Sequence, residues 1–290
     1  VKLVSFEVNG REHYGIVKGD RVIDLTMRIS EQFPTMRSFI ASGSLTRTQL
    51  LFDTEPGELA YADLKLLPVV PGPVKVICVG LNYQDHIAES TPVVGELTTS
   101  AKYPTIFMRL ADSLAGHRQT LIRPHVSVQF DYEAELMVVI GKETGRYVSE
   151  ADAMSHVFGY TCMNEGSIRD YQFFGTQFTA GKNFEQTGGT GPWIVTADEI
   201  ADPMNLNIAL TLNGETMQNS NTRNMIFSIP KIISYITQWV ALKPGDLIAT
   251  GTPDGVGLAR KPQVWMKAGD VAEVTIEGIG TLSNTIADES

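Results

Sequence analysis

The residues best suited to chemistry stand in a run of alternating acids, Asp131-Tyr132-Glu133-Ala134-Glu135, which continues into apolar Leu136-Met137-Val138-Val139-Ile140. Side chains alternate across an extended strand, so Asp131, Glu133 and Glu135 share one face and Tyr132, Ala134, Leu136, Val138 and Ile140 the other. Carboxylates that close repel and raise one another's pKa unless a cation sits between them. An all-oxygen set of this kind suits Mg²⁺, Mn²⁺ or Ca²⁺. The plain alternative is a solvated strand face on an acidic protein, and both readings stay open on these residues alone.

A further carboxylate, Glu165, ends a second apolar run at Asn164-Glu165-Gly166, and strand ends are common places for sites. Arg169 and Gln172 follow, three apart on one side of a helical turn, and offer a fork and an amide to a carboxylated ligand. Ordinary helix N-terminal polarity accounts for them equally well. Lys182, in Gly181-Lys182-Asn183-Phe184, reads as an oxyanion donor or as a surface charge. His86 and Glu89 stand at i and i+3, where the carboxylate can orient the imidazole as a general base. His13, His117, His125 and His156 lack such a partner and are read as structural or surface groups. Gly251-Thr252-Pro253-Asp254-Gly255-Val256-Gly257 lets backbone N–H groups approach a ligand, although it lacks the Gly-Lys-Ser/Thr ending of a phosphate loop.

The elements that must position these residues are mostly strands. Lys2–Val8, Tyr14–Val17 and Arg21–Leu25 alternate and are joined at Asn9-Gly10 and Gly19-Asp20, both hairpin signals. Residues 36–63 read as helical or loop-like, and the proline-rich stretch Leu67–Pro73 marks a domain boundary. Beyond it, Lys75–Gly80, Asp131–Gly141, Asn207–Leu212, Leu247–Thr250 and Ala272–Ile276 read as strands. Asn82–Glu89 reads as a turn entering a short helix. Ser149 caps a helical run over Ala153–Phe158, and Pro230 opens an amphipathic helix with Ile232, Ile233 and Ile236. Ser90–Tyr103, rich in Thr, Ser, Gly and Pro, reads as a long loop that closes as a lid over the site. With no regular βαβ alternation, an α+β, mostly β fold follows.

With 290 residues, 43% of them hydrophobic and 19% charged, the chain has ample apolar material for a buried core, which excludes a largely disordered protein. A net charge of −10 disfavours phosphate backbones and anionic membranes, so a nucleic-acid partner is not expected. No apolar run approaches the roughly 18 residues of a membrane helix. Val1-Lys2 opens a strand-like run without signal-peptide pattern. Two cysteines, Cys78 and Cys162, sit in apolar stretches and read as reduced core residues. A cytoplasmic protein is expected.

Taken in order, eight segments resemble the fumarylacetoacetate hydrolase family. They are Val79-Gly80-Leu81-Asn82-Tyr83 with His86 and Glu89, Pro104–Met108, Tyr132–Leu136, Ser167–Gln172, Gly181–Phe184, Gly191-Pro192-Trp193, Asn221-Thr222 with Met225-Ile226-Phe227, and Gly251-Thr252-Pro253 with Gly255-Val256-Gly257. The resemblance covers about residues 74 to 280. It implies a mixed β-roll catalytic domain over 71–290 preceded by a small β-rich domain over 1–70, a divalent metal, usually Mg²⁺ (or Mn²⁺, with Ca²⁺ in crystals), and a homodimer. By the same resemblance Glu133, Glu135 and Glu165 are metal ligands and Lys182 is the active-site lysine. His86 and Glu89 are the water-activating pair, and Arg169, Gln172 and Thr252 surround the substrate. Glu165 stands where the family usually has Asp, Arg109 where it often has Lys, and Phe184–Thr190 departs from the usual spacing. The implied activity is hydrolysis of a carbon–carbon bond in a small diketo, acylpyruvate-like acid. Isomerisation or decarboxylation of a related 2-oxo acid in aromatic catabolism, or binding of a 2-oxo acid or metal without catalysis, are the alternatives.

Overall fold

The apolar run that continues the acidic stretch becomes the strand Ala134–Ile140, buried at every position. A strand apolar on both faces must be covered on both, and here each face carries its own core. Leu136, Val138 and Ile140 pack with Ile208, Leu210 and Val274, and with Ile232, Ile233 and Ile236 of the helix Ile229–Thr237. Met137 and Val139 pack instead with Ile23, Phe39 and Ile40 from the N-terminal part of the chain. The structure is a computed structural model that describes residues 1–43, 45–94 and 102–290, with the backbone alone for 45–48 and 90–94.

Ala134–Ile140 lies between Val157–Glu165 and Leu247–Ala249, antiparallel to both. Leu247–Ala249 pairs in parallel with Val76–Gly80, and Val157–Glu165 pairs with Gly188–Thr196. Lys2–Val8 then joins Gly188–Thr196 through Lys2↔Val195 and Leu3↔Ile194, so the N-terminal strands extend the same sheet. A second, five-stranded sheet that includes Asn207–Leu212, Val271–Ile276 and Gly280–Asp288 packs across the first core. The fold is α+β and mostly β, as the sequence leads one to expect. Asn9 and Gly10 both take positive φ, 51° and 74°, at the first hairpin. Cys78 and Cys162 are free and buried. No helix among the described residues is long and apolar enough to cross a membrane.

Three local expectations change. The extended run from Asp131 is interrupted: Phe130–Asp131 pairs with Ser167–Ile168, and the main strand resumes only at Ala134. Asp131 accepts N–H bonds from Gly257 (2.7 Å) and Leu258 (2.9 Å), which draw it away from the face shared by Glu133 and Glu135. The helix capped by Ser149 spans Glu150–Ala153 and tightens into a 3-10 turn over Met154–His156, so the expected helical run stops short at Val157, where a strand begins. The helix Gln84–Val94 continues through Pro92, so Ser90–Val94 are helical where a loop was expected. Of the rest of the expected lid, 95–101 lie outside the described residues, while Lys102 and Tyr103 form a bend.

Candidate active site

Glu133, Glu135 and Glu165 converge, each offering an oxygen within 4.8 Å of the others, and all three are buried. Neighbouring strands set this distance. Glu135 lies opposite Met163 in the antiparallel pair, and Glu165 N donates to the Glu133 carbonyl at 2.8 Å. Asn164 Oδ1 accepts from Glu133 N at 3.1 Å, fixing the backbone at the point where the strand is interrupted. The alternation of Glu133 and Glu135 thus survives with Glu165 as third member, while Asp131 does a different job.

That job is to hold Arg169. Asp131 Oδ2 accepts from Arg169 Nε at 2.8 Å, and Arg169 Nη1 lies 2.7 Å from Glu133 Oε1 and 2.9 Å from Gln172 Oε1. Arg169 and Gln172 do share one side of the helix Arg169–Phe173, but the fork is engaged by the protein's own carboxylates. Lys182 is buried as well, its Nζ donating to Glu133 Oε2 (2.7 Å) and Glu165 Oε2 (2.9 Å), which excludes a surface charge.

The electrostatics follow. Burial would raise the Glu133 pKa, but Lys182, Arg169 and His86 outweigh it and hold the carboxyl below its ordinary value. Glu135 is pushed well above the ordinary range, first by burial and then by Glu165 and Glu133. Burial would lower Lys182, and the opposing charges of Glu133 and Glu165 win, raising it. Glu165 Oε1 is buried without a hydrogen-bond partner. The three carboxylates thus form a converging, buried all-oxygen set in which one oxygen has no partner among the described residues and like charges oppose each other. A hard divalent cation fits these residues.

His86 Nδ1 lies 2.8 Å from Glu89 Oε1, and Glu89 Oε2 accepts from Gly255 N at 2.9 Å. The glycine loop therefore spends its N–H groups on the site's own acids: Gly251 on Glu135 (2.8 Å), Gly255 on Glu89 and Gly257 on Asp131. Gly251 and Gly255 have φ of 102° and 98°, which only glycine adopts without strain, and a Cβ on Gly257 would meet Val264 O at 1.8 Å. Thr252, in the same loop, is buried and accepts from Gln218 Nε2 at 2.9 Å.

All nine expected site residues except Glu89 line one cavity of about 300 Å³, and Glu89 joins it through His86. Three features of the site are not legible in the spacing. Strand alternation puts Asp131 on the face of Glu133 and Glu135 because it takes no account of an interruption. Asn82 ties Phe227 and Thr250 to the turn before His86 through three hydrogen bonds of 2.8–3.0 Å. Phe107, Phe173 and Phe178 give the cavity an aromatic wall that no spacing signalled. Arg109, at the family's Lys position, is buried away from the cavity lining and braces the turn after Glu165 by donating to Gly166 O at 3.0 Å.

Residues 75–287 match the family model for the C-terminal domain of fumarylacetoacetate hydrolase. The chain is 39% identical over 294 residues to oxaloacetate tautomerase FAHD2A, mitochondrial, of Bos taurus, covering 99% of this chain and 91% of that one. It is 42% identical over 302 residues to 2,4-didehydro-3-deoxy-L-rhamnonate hydrolase of Sphingomonas sp. (strain SKA58), covering 99% and 96%. Among solved structures, maleylpyruvate hydrolase from Sphingobium sp. SYK-6 in complex with manganese(II) ion and pyruvate superposes with a TM-score of 0.81 at 28% identity, over the whole of both chains. Relatives bearing hydrolase and tautomerase names are thus similar in sequence over nearly their full length, a solved hydrolase shares the fold, and the chain belongs to the fumarylacetoacetate hydrolase family.

Proposed function

We propose that the chain is a divalent-metal-dependent hydrolase that cleaves a carbon–carbon bond in a small diketo, acylpyruvate-like acid. The observation that carries this reading is the His86–Glu89 pair opening into the same cavity as the three converging glutamates and Lys182. Glu133, Glu135 and Glu165 would hold Mg²⁺ or Mn²⁺, which when bound supplies Lewis-acid polarisation of the 2-oxo acid. Glu89 accepts from His86 Nδ1–H, a tautomer assigned from that contact, and leaves Nε2 to take a proton from water. The water oxygen attacks the distal carbonyl carbon, the bond to the pyruvate-side carbon breaks with its electron pair, and that carbon is reprotonated, giving a carboxylic acid and a 2-oxo acid. Lys182 faces the negative charge that develops on the oxo side. Arg169 acts through Glu133 as a positioning residue, and Gln172 and Thr252 offer neutral polar contacts to the substrate.

A second reading is tautomerisation of a 2-oxo acid, favoured by the bovine relative's name. The same His86 would then move a proton between carbon and oxygen without water attack. Binding without catalysis has less support, because a ligand site does not require a paired imidazole and carboxylate. The reading includes a homodimer and a small-molecule substrate only. The test is a panel of acylpyruvates and oxaloacetate run in ¹⁸O-labelled water with Mg²⁺, Mn²⁺ or EDTA. Hydrolysis predicts metal-dependent turnover with label in the acid product. Metal-dependent loss of the enol without bond cleavage would select the tautomerase instead, and turnover unaffected by EDTA would refute both.

A further inference from the structure

We propose that the cavity selects a 2-oxo acid with a single carboxylate and an uncharged, apolar tail over a dicarboxylate of the same length. The inference rests on the function proposed above and names the substrate class of that site.

The charged groups of the cavity are clustered. Lys182 and Arg169, its two permanent cations, are both held by Glu133, one with Glu165 and the other with Asp131. From Lys182 outward the lining turns aromatic. Lys182 Nζ lies 5.1 Å from the centre of the buried Phe107 ring. Phe107 meets the half-buried Phe178 edge-on at 5.8 Å, and Phe178 meets Phe173 edge-on at 6.5 Å, Phe173 being 40% exposed. The three rings form a strip from the buried lysine to the surface. Gly80 borders the strip, where a Cβ would come into ordinary contact, 3.5 Å, with ring atoms of both Phe107 and Phe178.

A second carboxylate lying along this strip would lose water and, among the described lining residues, gain no cation that is not already held by the protein's own acids. The basic residues of the cavity lining are His86, Arg169 and Lys182. Lys102 carries its Nζ over the exposed Tyr103 ring, 5.6 Å from its centre. An alkyl or aryl tail gains burial against the rings, whereas a buried, unpaired carboxylate is strongly disfavoured.

The test compares 2,4-dioxoheptanoate with 2,4-dioxoheptanedioate, which differ only in a terminal methyl against a terminal carboxylate. Binding to the Mn²⁺-loaded protein is measured by calorimetry, and turnover by product analysis. The expected result is at least about tenfold tighter binding, and a correspondingly higher kcat/KM, for the methyl-ended acid. Phe178→Arg, which places a cation on the strip, should narrow or reverse that ratio. Equal binding of the two acids, or preference for the diacid, by the wild-type protein overturns the inference. If the methyl-ended acid binds tighter and neither is cleaved, the selectivity stands and the hydrolase reading falls. Should Phe178→Arg not fold, the wild-type binding ratio still decides.

Discussion

Replacing Lys182 by Met removes the one ammonium that two buried carboxylates share, at 2.7 Å from Glu133 and 2.9 Å from Glu165. Breaking a buried ion pair on one side costs about 3–5 kcal/mol, because the partner charge is left uncompensated. At roughly 2–4 °C per kcal/mol for a chain of this size class, Tm in EDTA should fall by about 6–20 °C. The deficit depends on pH with a definite sign. In the wild type the Glu133 carboxyl, which burial alone would raise, is held below its ordinary pKa by Lys182, Arg169 and His86. Its contribution is therefore present above the unfolded value of about 4.5 and lost as pH falls through the folded one. Without Lys182 that support shrinks, so the gap between variant and wild type should widen from pH 4 toward pH 7. A divalent cation should compensate, by about 2.7 kcal/mol at a hundred times its Kd, and more in the variant, where no ammonium competes for the oxygens. Thermal melts at several pH values, in EDTA and in millimolar Mg²⁺, test this. A variant that melts with the wild type in EDTA, or whose deficit is unchanged by both pH and Mg²⁺, would refute the electrostatic argument.

His86→Ala should lower kcat on the best substrate of the panel by about 10²–10⁴-fold. Glu89→Gln, which leaves either His86 or Gly255 N–H facing an amide donor, should cost on the order of 10–10²-fold; both variants should bind Mn²⁺ like the wild type in calorimetric titration. Burial, then Arg118, depresses the His117 pKa to about 4, and its Nδ1 accepts from Ser283 N at 3.0 Å. Protons therefore bind the unfolded chain preferentially between about pH 6.5 and 4, and stability should fall across that window by about 1–2 kcal/mol on account of this half-buried ring; urea titrations of His117→Gln should show a shallower decline. Gly257→Ala, whose Cβ would meet Val264 O at 1.8 Å and Asp131 Oδ1 at 2.6 Å, should destabilise by about 1–3 kcal/mol, read as a lower urea midpoint.

Periodicity carries local geometry well and tertiary routing poorly, and the site shows both. Glu133 and Glu135 share a face because two successive odd positions of an extended chain must, and Glu165 ends a strand that pairs beside them. The His86–Glu89 contact is the i, i+3 pair its spacing suggests. Asp131 obeys the same alternation on paper, yet two backbone N–H groups from residues 126 and 127 positions later pull it onto Arg169. No local pattern encodes such a contact. The glycines at 251, 255 and 257 read correctly as places of close N–H approach, but the acceptors are the site's own carboxylates. Thr, Ser and Pro content suggested a loop from Ser90, where propensity lost to the continuing helix through Val94. The aromatic strip of Phe107, Phe173 and Phe178 unites residues from a strand, a helix and the segment after it, so only the fold reveals it.

Everything proposed for the cavity depends on Glu133, Glu135 and Glu165 holding one divalent cation between them. Anomalous diffraction at the manganese edge, from crystals of the protein equilibrated with Mn²⁺, tests it most directly. A single strong peak per chain, bonded to one oxygen from each of the three carboxylates, is expected. A map with no peak there, or with manganese held elsewhere while Lys182 still bridges Glu133 and Glu165, would contradict it.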